Sequence, residues 1–212
     1  ASAKAIEAYH KMGQKGEIGI ILNLTPSYPR DETNPEDVKA ARIADAFFNR
    51  SFLDPTVKGE FPSELVAIVK ELAIMPEMGP DDLTIIKENT IDLLGINYYQ
   101  PRRIKAKETP IDHQNGPMPE DYFDYYDMPN KKMNIYRGWE IYEKGIYDIL
   151  TNTRENYGNI KCYISENGMG VEGEERFVNS EGVIEDDYRI TFVTDHLKYV
   201  HQAIQEGTNC VG

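Results

Sequence analysis

A glutamate that directly follows an apolar run is the residue in this sequence best placed to do chemistry. Residues 160–164 are Ile-Lys-Cys-Tyr-Ile, and Ser165, Glu166, Asn167 and Gly168 come next. A carboxylate at the carboxyl end of a buried parallel strand lies where α/β folds place their active sites. The same residues are also typical of a capping acid before an Asn-Gly turn, which has no catalytic meaning. The pattern alone therefore makes Glu166 a candidate catalytic carboxylate beside a purely structural alternative.

Two further places carry side chains that could line a binding cleft. Asn97, Tyr98 and Tyr99 end another apolar run in the way that Glu166 does. The two tyrosine rings could equally serve packing, with each hydroxyl group satisfied at the rim of the fold. Trp139 is the only tryptophan, and it either anchors a loop or offers a flat platform to a sugar ring. The roles of these residues depend on whether the fold brings them to Glu166.

The sequence carries no recognisable pattern for a metal ion or a phosphate-binding loop. Four histidines are present (His10, His113, His196 and His201), and none belongs to a His-Glu-x-x-His or similar spacing. The glycines that follow the candidate carboxylate do not continue into a phosphate-binding or dinucleotide motif. Neither a metal ion nor a cofactor is therefore predicted.

Hydrophobic periodicity predicts helices and strands that alternate along the chain. The predicted strands are 18–24, 91–99 and 160–166, whose nearly continuous apolar runs are typical of strands buried on both faces. The predicted helices are 2–12, one that begins with the N-cap Asn34, 63–73, a short one after 80, 145–156 and 187–206. The last helix places Ile190, Val193, Leu197, Val200 and Ile204 on one apolar face.

This alternation implies a parallel sheet with helices packed on it, because connections of helical length join parallel strands. A fourth strand starts at residues 209–212. Three and a half strand–helix units would leave unpaired backbone groups at both lateral edges of the sheet, which native proteins avoid. We therefore expect a part of a larger sheet, with its open edges covered by a missing part of the same polypeptide or by another chain.

Composition excludes several classes of function. The 212 residues carry 23 basic and 36 acidic side chains, a formal net charge of -13. Such a charge repels nucleic acids and anionic membranes at long range, so neither is predicted as a partner. No apolar run is as long as a membrane span. Cys162 and Cys210 are too few for a disulfide framework and are expected to be buried thiols in a reducing compartment, which predicts a cytoplasmic protein.

Five groups of residues, taken together, resemble glycoside hydrolase family 1. Leu94-Gly-Ile-Asn-Tyr-Tyr99, Gly138-Trp-Glu-Ile141 and Tyr163-Ile-Ser-Glu-Asn-Gly168 stand in the order and rough spacing of that family. Two further stretches, Asn49-Arg-Ser-Phe-Leu-Asp-Pro55 and the helix that opens with Asp187, are similar to segments of the same family. The resemblance covers essentially the whole chain, and within the family it is greatest to the bacterial 6-phospho-β-glucosidases.

The resemblance implies a fold and a set of site residues. The fold would be α/β, a (β/α)8 TIM barrel, of which residues 1–212 form a single partial domain from about strand 5 to the start of strand 8. Glu166 would be the catalytic nucleophile, and Tyr99 would hydrogen-bond its carboxylate. Trp139 would form a platform near the leaving group, and Asn97 would line the same site. The proton-donating glutamate, in the family's Asn-Glu-Pro motif, would precede residue 1.

The implied activity is hydrolysis of (6-phospho-)β-D-glucosides with retention of configuration, by double displacement and without a cofactor. This chain alone is expected to be inactive because it has the attacking group and no proton donor. Two alternatives within the family are a 6-phospho-β-galactosidase and an unphosphorylated β-glucosidase. A third alternative is a non-catalytic half-barrel that binds a sugar on Trp139.

Overall fold

The computed structural model describes residues 1–13, 15–110 and 116–212, so His113 lies outside the described residues. The helices are α1 (Ser2–Lys11), α2 (Pro35–Asp45), α3 (Ser51–Val57), α4 (Ser63–Glu71), α5 (Asp82–Glu88), α6 (Lys144–Asn156) and α7 (Asp187–Gln205). The strands are β1 (Gly19–Asn23), β2 (Ser27–Pro29), β3 (Leu93–Asn97), β4 (Arg102–Lys105), β5 (Asp124–Tyr125), β6 (Met133–Asn134), β7 (Trp139–Glu140) and β8 (Cys162–Glu166). A π-helical turn at Ala46–Arg50 connects α2 directly to α3.

The central sheet has the parallel order β1-β3-β8 among the described residues. Leu94 pairs with Ile20 on one side and with Cys162 on the other. The ladder continues past β8, because Ile164 N donates to Gly212 O at 2.9 Å. The predicted alternation of helices with parallel strands is therefore confirmed, including a fourth strand that starts at the end of the chain.

One face of this sheet packs against the helices. Leu94 and Ile96 of β3 are fully buried there, in an apolar cluster with Ile146 and Leu150 of α6 and Ala203 of α7. Helix α2, which packs against β2 and β4 beside this sheet, begins as the sequence predicts, since Asn34 Oδ1 caps it by accepting from Glu36 N at 3.0 Å. Burial of this face supplies the main hydrophobic stabilisation of the sheet.

The other face of the sheet is open, so the prediction of strands buried on both faces is wrong for β1. Ile21 is 52% exposed on that face. Gly95 lies beside it, and a Cβ at position 95 would be 2.7 Å from Ile21 Cγ1 and 3.2 Å from Ser165 Oγ. The face carries the apolar Ile21 beside the hydroxyl groups of Tyr163 and Ser165, and more than half of Ile21 is left uncovered by the described residues. In a closed barrel this face would be the interior.

Helix α7 is rotated relative to the face that the sequence predicts. Of the five predicted positions only Val200 is buried, and Ile190 and Leu197 are 61% and 58% exposed. Phe192 and His196 are buried instead. Their rings stack at a centroid distance of 4.0 Å, and they form the buried face of α7 together with Val200 and Ala203.

Burial of His196 makes stability depend on pH. Its Nδ1 donates to Phe192 O at 2.8 Å, and its Nε2 is buried with no hydrogen-bond partner among the described residues. Burial therefore lowers the pKa of His196 below its ordinary 6.5. The unfolded chain then binds a proton more readily than the folded one, and stability falls as pH drops below about 6.5.

We predict that His196→Gln removes part of this loss of stability between about pH 6.5 and pH 5. His201→Gln, on the exposed side of the same helix, is the matched control and should leave the pH dependence unchanged. Thermal unfolding of the three proteins across this pH range measures the effect. Equal pH dependence in all three would contradict the assignment to His196.

Two smaller units lie beside the central sheet. β2, β4 and β5 form a second sheet in the order β2-β4-β5, and β6 pairs with β7 as a short hairpin. Asn49, in the π-helical turn, fixes the chain just after β1 of the central sheet. Its side-chain amide accepts from Thr25 N at 3.0 Å and donates to Thr25 O at 2.8 Å. These units occupy the side of the molecule where the central strands end.

The two cysteines behave as the sequence predicts. Cys162 and Cys210 are buried, free thiols on neighbouring strands.

Among the described residues, no helix is both long enough and apolar enough to cross a membrane, and no three metal-ligating side chains cluster into a metal site.

Candidate active site

The candidate carboxylate is the last residue of β8, at the carboxyl end of the central sheet, and the strand pairing is irregular just before it. Ile96 pairs with Ile164, whereas the next residue, Asn97, pairs with Glu166. Ser165 is therefore the extra residue of a bulge, a feature that re-aims side chains next to active sites. The backbone beyond the bulge stays paired, since Tyr98 N donates to Glu166 O at 3.0 Å.

Tyr99 and Glu166 are in direct contact. The hydroxyl group of Tyr99 donates a short hydrogen bond to Glu166 Oε2. This bond, more than partial burial, raises the pKa of Tyr99, so the hydroxyl group stays protonated and keeps donating through the neutral range. A hydrogen bond donated to a carboxylate fixes its orientation. The pair therefore presents an oriented carboxylate to solvent, because Glu166 is exposed.

Trp139 lies against the same pair. Its ring and that of Tyr99 have centroids 5.6 Å apart at an interplanar angle of 52°. Together with Glu166 they line an open cleft of about 670 Å³. The other lining residues are Arg137, Ser165, Asn167, Gly168, Met169 and Gly170. The cleft thus combines one carboxylate with a flat aromatic surface, which suits a sugar ring held above an attacking oxygen.

Asn97 lies one step behind this cleft. Its Oδ1 accepts a hydrogen bond of 2.6 Å from Ser165 Oγ, and Ser165 itself lines the cleft. The amide of Asn97 is therefore positioned at the same strand edge as Glu166. Asn167, the residue after Glu166, is held at the end of β3, because its Nδ2 donates to Tyr98 O at 2.8 Å.

Arg137 is a cleft residue to which the sequence assigned no role. Its guanidinium group lies against Gly170, where a Cβ would be 2.4 Å from Arg137 Nε. The turn that presents it needs glycine at the next position, since Gly138 has a φ of 68°. The signal available in the sequence was its place two residues before Trp139, in the Arg-Gly-Trp segment.

Comparison with known proteins identifies the family of the chain. The model of glycosyl hydrolase family 1 matches residues 1–212. The chain is 66% identical over its whole length to the 6-phospho-beta-glucosidase GmuD of Bacillus subtilis, of which it covers 45%. It is 33% identical, again over its whole length, to a 6-phospho-beta-galactosidase of Staphylococcus aureus, of which it covers 48%. The chain thus spans about half the length of the curated relatives it matches.

Solved structures show the same relation for the fold. A family 1 β-glucosidase from Thermotoga maritima superimposes with a TM-score of 0.81 at 29% sequence identity, over 98% of this chain and 43% of that one. The parallel strands and their helices are therefore a part of a (β/α)8 barrel, and the expected fold class is confirmed. By its sequence and its fold, the chain belongs to glycosyl hydrolase family 1.

Proposed function

We propose that Glu166 is the nucleophile of a retaining glycosidase that hydrolyses 6-phospho-β-D-glucosides. The observation that carries the proposal is the Tyr99–Glu166 hydrogen bond at the strand end, with Trp139 beside it in one open cleft. The substrate class rests on 66% identity to a 6-phospho-beta-glucosidase. The activity is proposed for a polypeptide of the relatives' length that contains these residues.

The proposed reaction has two displacements. In the first, a Glu166 carboxylate oxygen forms a bond to the anomeric carbon while the bond to the aglycone oxygen breaks. The departing oxygen takes a proton from a second carboxyl group. In the second, that group removes a proton from water, whose oxygen displaces Glu166, and the sugar leaves with its original β configuration. Tyr99 holds the attacking oxygen in place.

The second carboxyl group is proposed to come from outside this chain. Double displacement needs two carboxyl groups about 5–5.5 Å apart. Among the described residues that line the cleft, Glu166 is the only carboxylate. We propose that the remaining part of a polypeptide of the relatives' length supplies the proton donor and covers the open face at Ile21. The 212 residues alone would then be inactive.

A substrate comparison tests this function. We call a polypeptide of the relatives' length that contains these residues the full-length polypeptide. We expect it to hydrolyse p-nitrophenyl β-D-glucoside 6-phosphate with a kcat/KM about 100-fold or more above that for the unphosphorylated glucoside. A site that binds a phosphate group penalises a substrate without one, because the groups that would bind the phosphate are left without a partner. The 6-phosphogalactoside should also be poorer, and NMR of the first product should show the β anomer. Preference for either alternative substrate would overturn the substrate class, and binding without hydrolysis would favour a sugar-binding module.

A reducing, cytoplasmic location is proposed for the protein. Cys162 and Cys210 are neighbours on adjacent strands and are both free thiols. Free thiols in such proximity are typical of reducing compartments. The proposed partner is the glycoside substrate alone, with neither nucleic acid nor membrane.

A further inference from the structure

The hairpin that carries Trp139 is too short to fix its own position. β6 and β7 have two residues each, and Asn134 pairs with Trp139 while Met133 pairs with Glu140. Two-stranded ribbons are marginally stable in water even when they are longer. The position of the Trp139 ring beside Tyr99 must therefore depend on contacts outside the hairpin.

Glu140 makes such a contact on the side of the strand away from Trp139, because successive side chains on a strand point in opposite directions. It is 7% exposed. Its Oε1 accepts from Arg103 Nη2 at 2.5 Å, and its Oε2 accepts from Arg103 Nε at 3.1 Å. A bidentate ion pair between a guanidinium group and a carboxylate fixes the orientation of the two groups as well as the distance between them.

Arg103 is itself held from both sides. The strand β4 carries it, and its side chain is 12% exposed. The guanidinium carbon lies 4.9 Å from the ring centroid of Tyr28 and 4.5 Å from that of Tyr142. Tyr28 in turn donates from its hydroxyl group to Asp148 of α6 at 2.6 Å. The second sheet and α6 thus form a fixed anchor for Glu140.

The segment after Glu140 is tied to the strand that ends beside the cleft. Tyr98 is fully buried, and its hydroxyl group donates to Tyr142 O at 2.6 Å. Gly145 makes room for this contact, since a Cβ there would be 2.0 Å from the Tyr98 oxygen. Tyr98 is the neighbour of Tyr99, so the hairpin and the nucleophile's partner share one support.

We propose that Arg103 and Glu140 are positioning residues that set substrate affinity by holding the Trp139 ring over the cleft. The proposal rests on the proposed function, in which Trp139 forms part of the sugar-binding surface. Neither residue lines the cleft, so each acts through Trp139.

The test compares steady-state kinetics in the full-length polypeptide. Glu140→Gln keeps the shape and loses the charge of the pair, and we expect KM for the aryl 6-phosphoglucoside to rise about 10-fold with kcat changed less than about 2-fold. Arg103→Lys should raise KM in the same way, because an ammonium group cannot reproduce the bidentate ion pair. Hydrogen exchange of the backbone amides in 133–141 should accelerate about 10-fold in both variants.

A double-mutant comparison separates positioning from a general loss of stability. In the Trp139→Ala background, Glu140→Gln should change KM by less than about 2-fold, because the ring through which it acts is gone. The matched control is Asp54→Asn: Asp54 is a buried carboxylate of α3 that accepts from the hydroxyl group of Tyr157 at 2.5 Å, outside the second sheet. This control should lower thermal stability without changing KM or exchange in 133–141.

Two results would overturn the proposal. One is an equal KM for the wild type and Glu140→Gln with unchanged exchange in 133–141. The other is a KM increase from Glu140→Gln that persists undiminished without Trp139. The exchange measurement does not need catalysis, so failure of the proposed function would appear separately, as hydrolysis that survives the loss of Glu166.

Discussion

Replacing Glu166 with Gln is expected to lower kcat of the full-length polypeptide by a factor on the order of 10⁴–10⁶, the usual cost of removing a catalytic nucleophile. Gln has the same shape and can still accept the hydrogen bond from Tyr99, so the fold and the cleft should be preserved. The amide oxygen cannot form the covalent intermediate that double displacement requires. The loss of kcat is measured from the rate at which the aryl 6-phosphoglucoside releases its phenolate.

The control for this variant is Glu172→Gln, an exposed glutamate six residues further along the chain. It should retain wild-type kcat. Glu166→Ala adds a chemical check: azide placed in the vacated space should attack a dinitrophenyl glycoside from the α face and yield the α-glycosyl azide. Retention of more than a tenth of wild-type kcat by Glu166→Gln would contradict the assigned role.

Replacing Tyr99 with Phe is expected to lower kcat/KM about 100-fold, comparable to the loss of one hydrogen-bond donor from other active sites. The substitution keeps the ring against Trp139 and removes only the donor to Glu166. The attacking oxygen then samples more orientations, and fewer of them point at the anomeric carbon. Steady-state kinetics on the phosphorylated aryl glucoside measures the effect.

Tyr147→Phe is the matched control for the tyrosine variant. Tyr147 also donates to a carboxylate, Glu206 Oε2 at 2.6 Å, but it does so between α6 and α7, among the helices. Its loss should leave kcat/KM unchanged. Equal effects of the two substitutions would mean that Tyr99 serves stability and has no special part in the site.

Much of the fold could be predicted because its strands and helices carry strong local signals. The apolar runs before Asn97 and Glu166 and the Asn34 cap placed elements correctly to within a few residues. Burial was harder to predict, because it depends on tertiary partners. The aliphatic stripe of α7 reads as a core face, yet the ring of Phe192 packs inward and Ile190 stays exposed.

The site shows the same division. The contact between Tyr99 and Glu166 was predicted from the family resemblance, and both residues do lie where parallel strands end at one edge of a sheet. The bulge at Ser165 could not, since it appears only in the pairing of two strands. The Arg103–Glu140 pair joins residues 37 positions apart, and no periodicity connects them. Arg137 was missed because a turn, rather than a strand, brings it to the cleft.

Trapping the covalent intermediate tests the central claim most directly. The full-length polypeptide is incubated with a dinitrophenyl 2-deoxy-2-fluoro-β-glucoside 6-phosphate. The fluorine slows both displacements, and the dinitrophenolate leaving group speeds up only the first, so the covalent intermediate accumulates. Peptide mapping by mass spectrometry should find the fluorosugar on Glu166, with activity lost in proportion. A label on any other residue, or turnover of natural substrate with no label at all, would contradict the account.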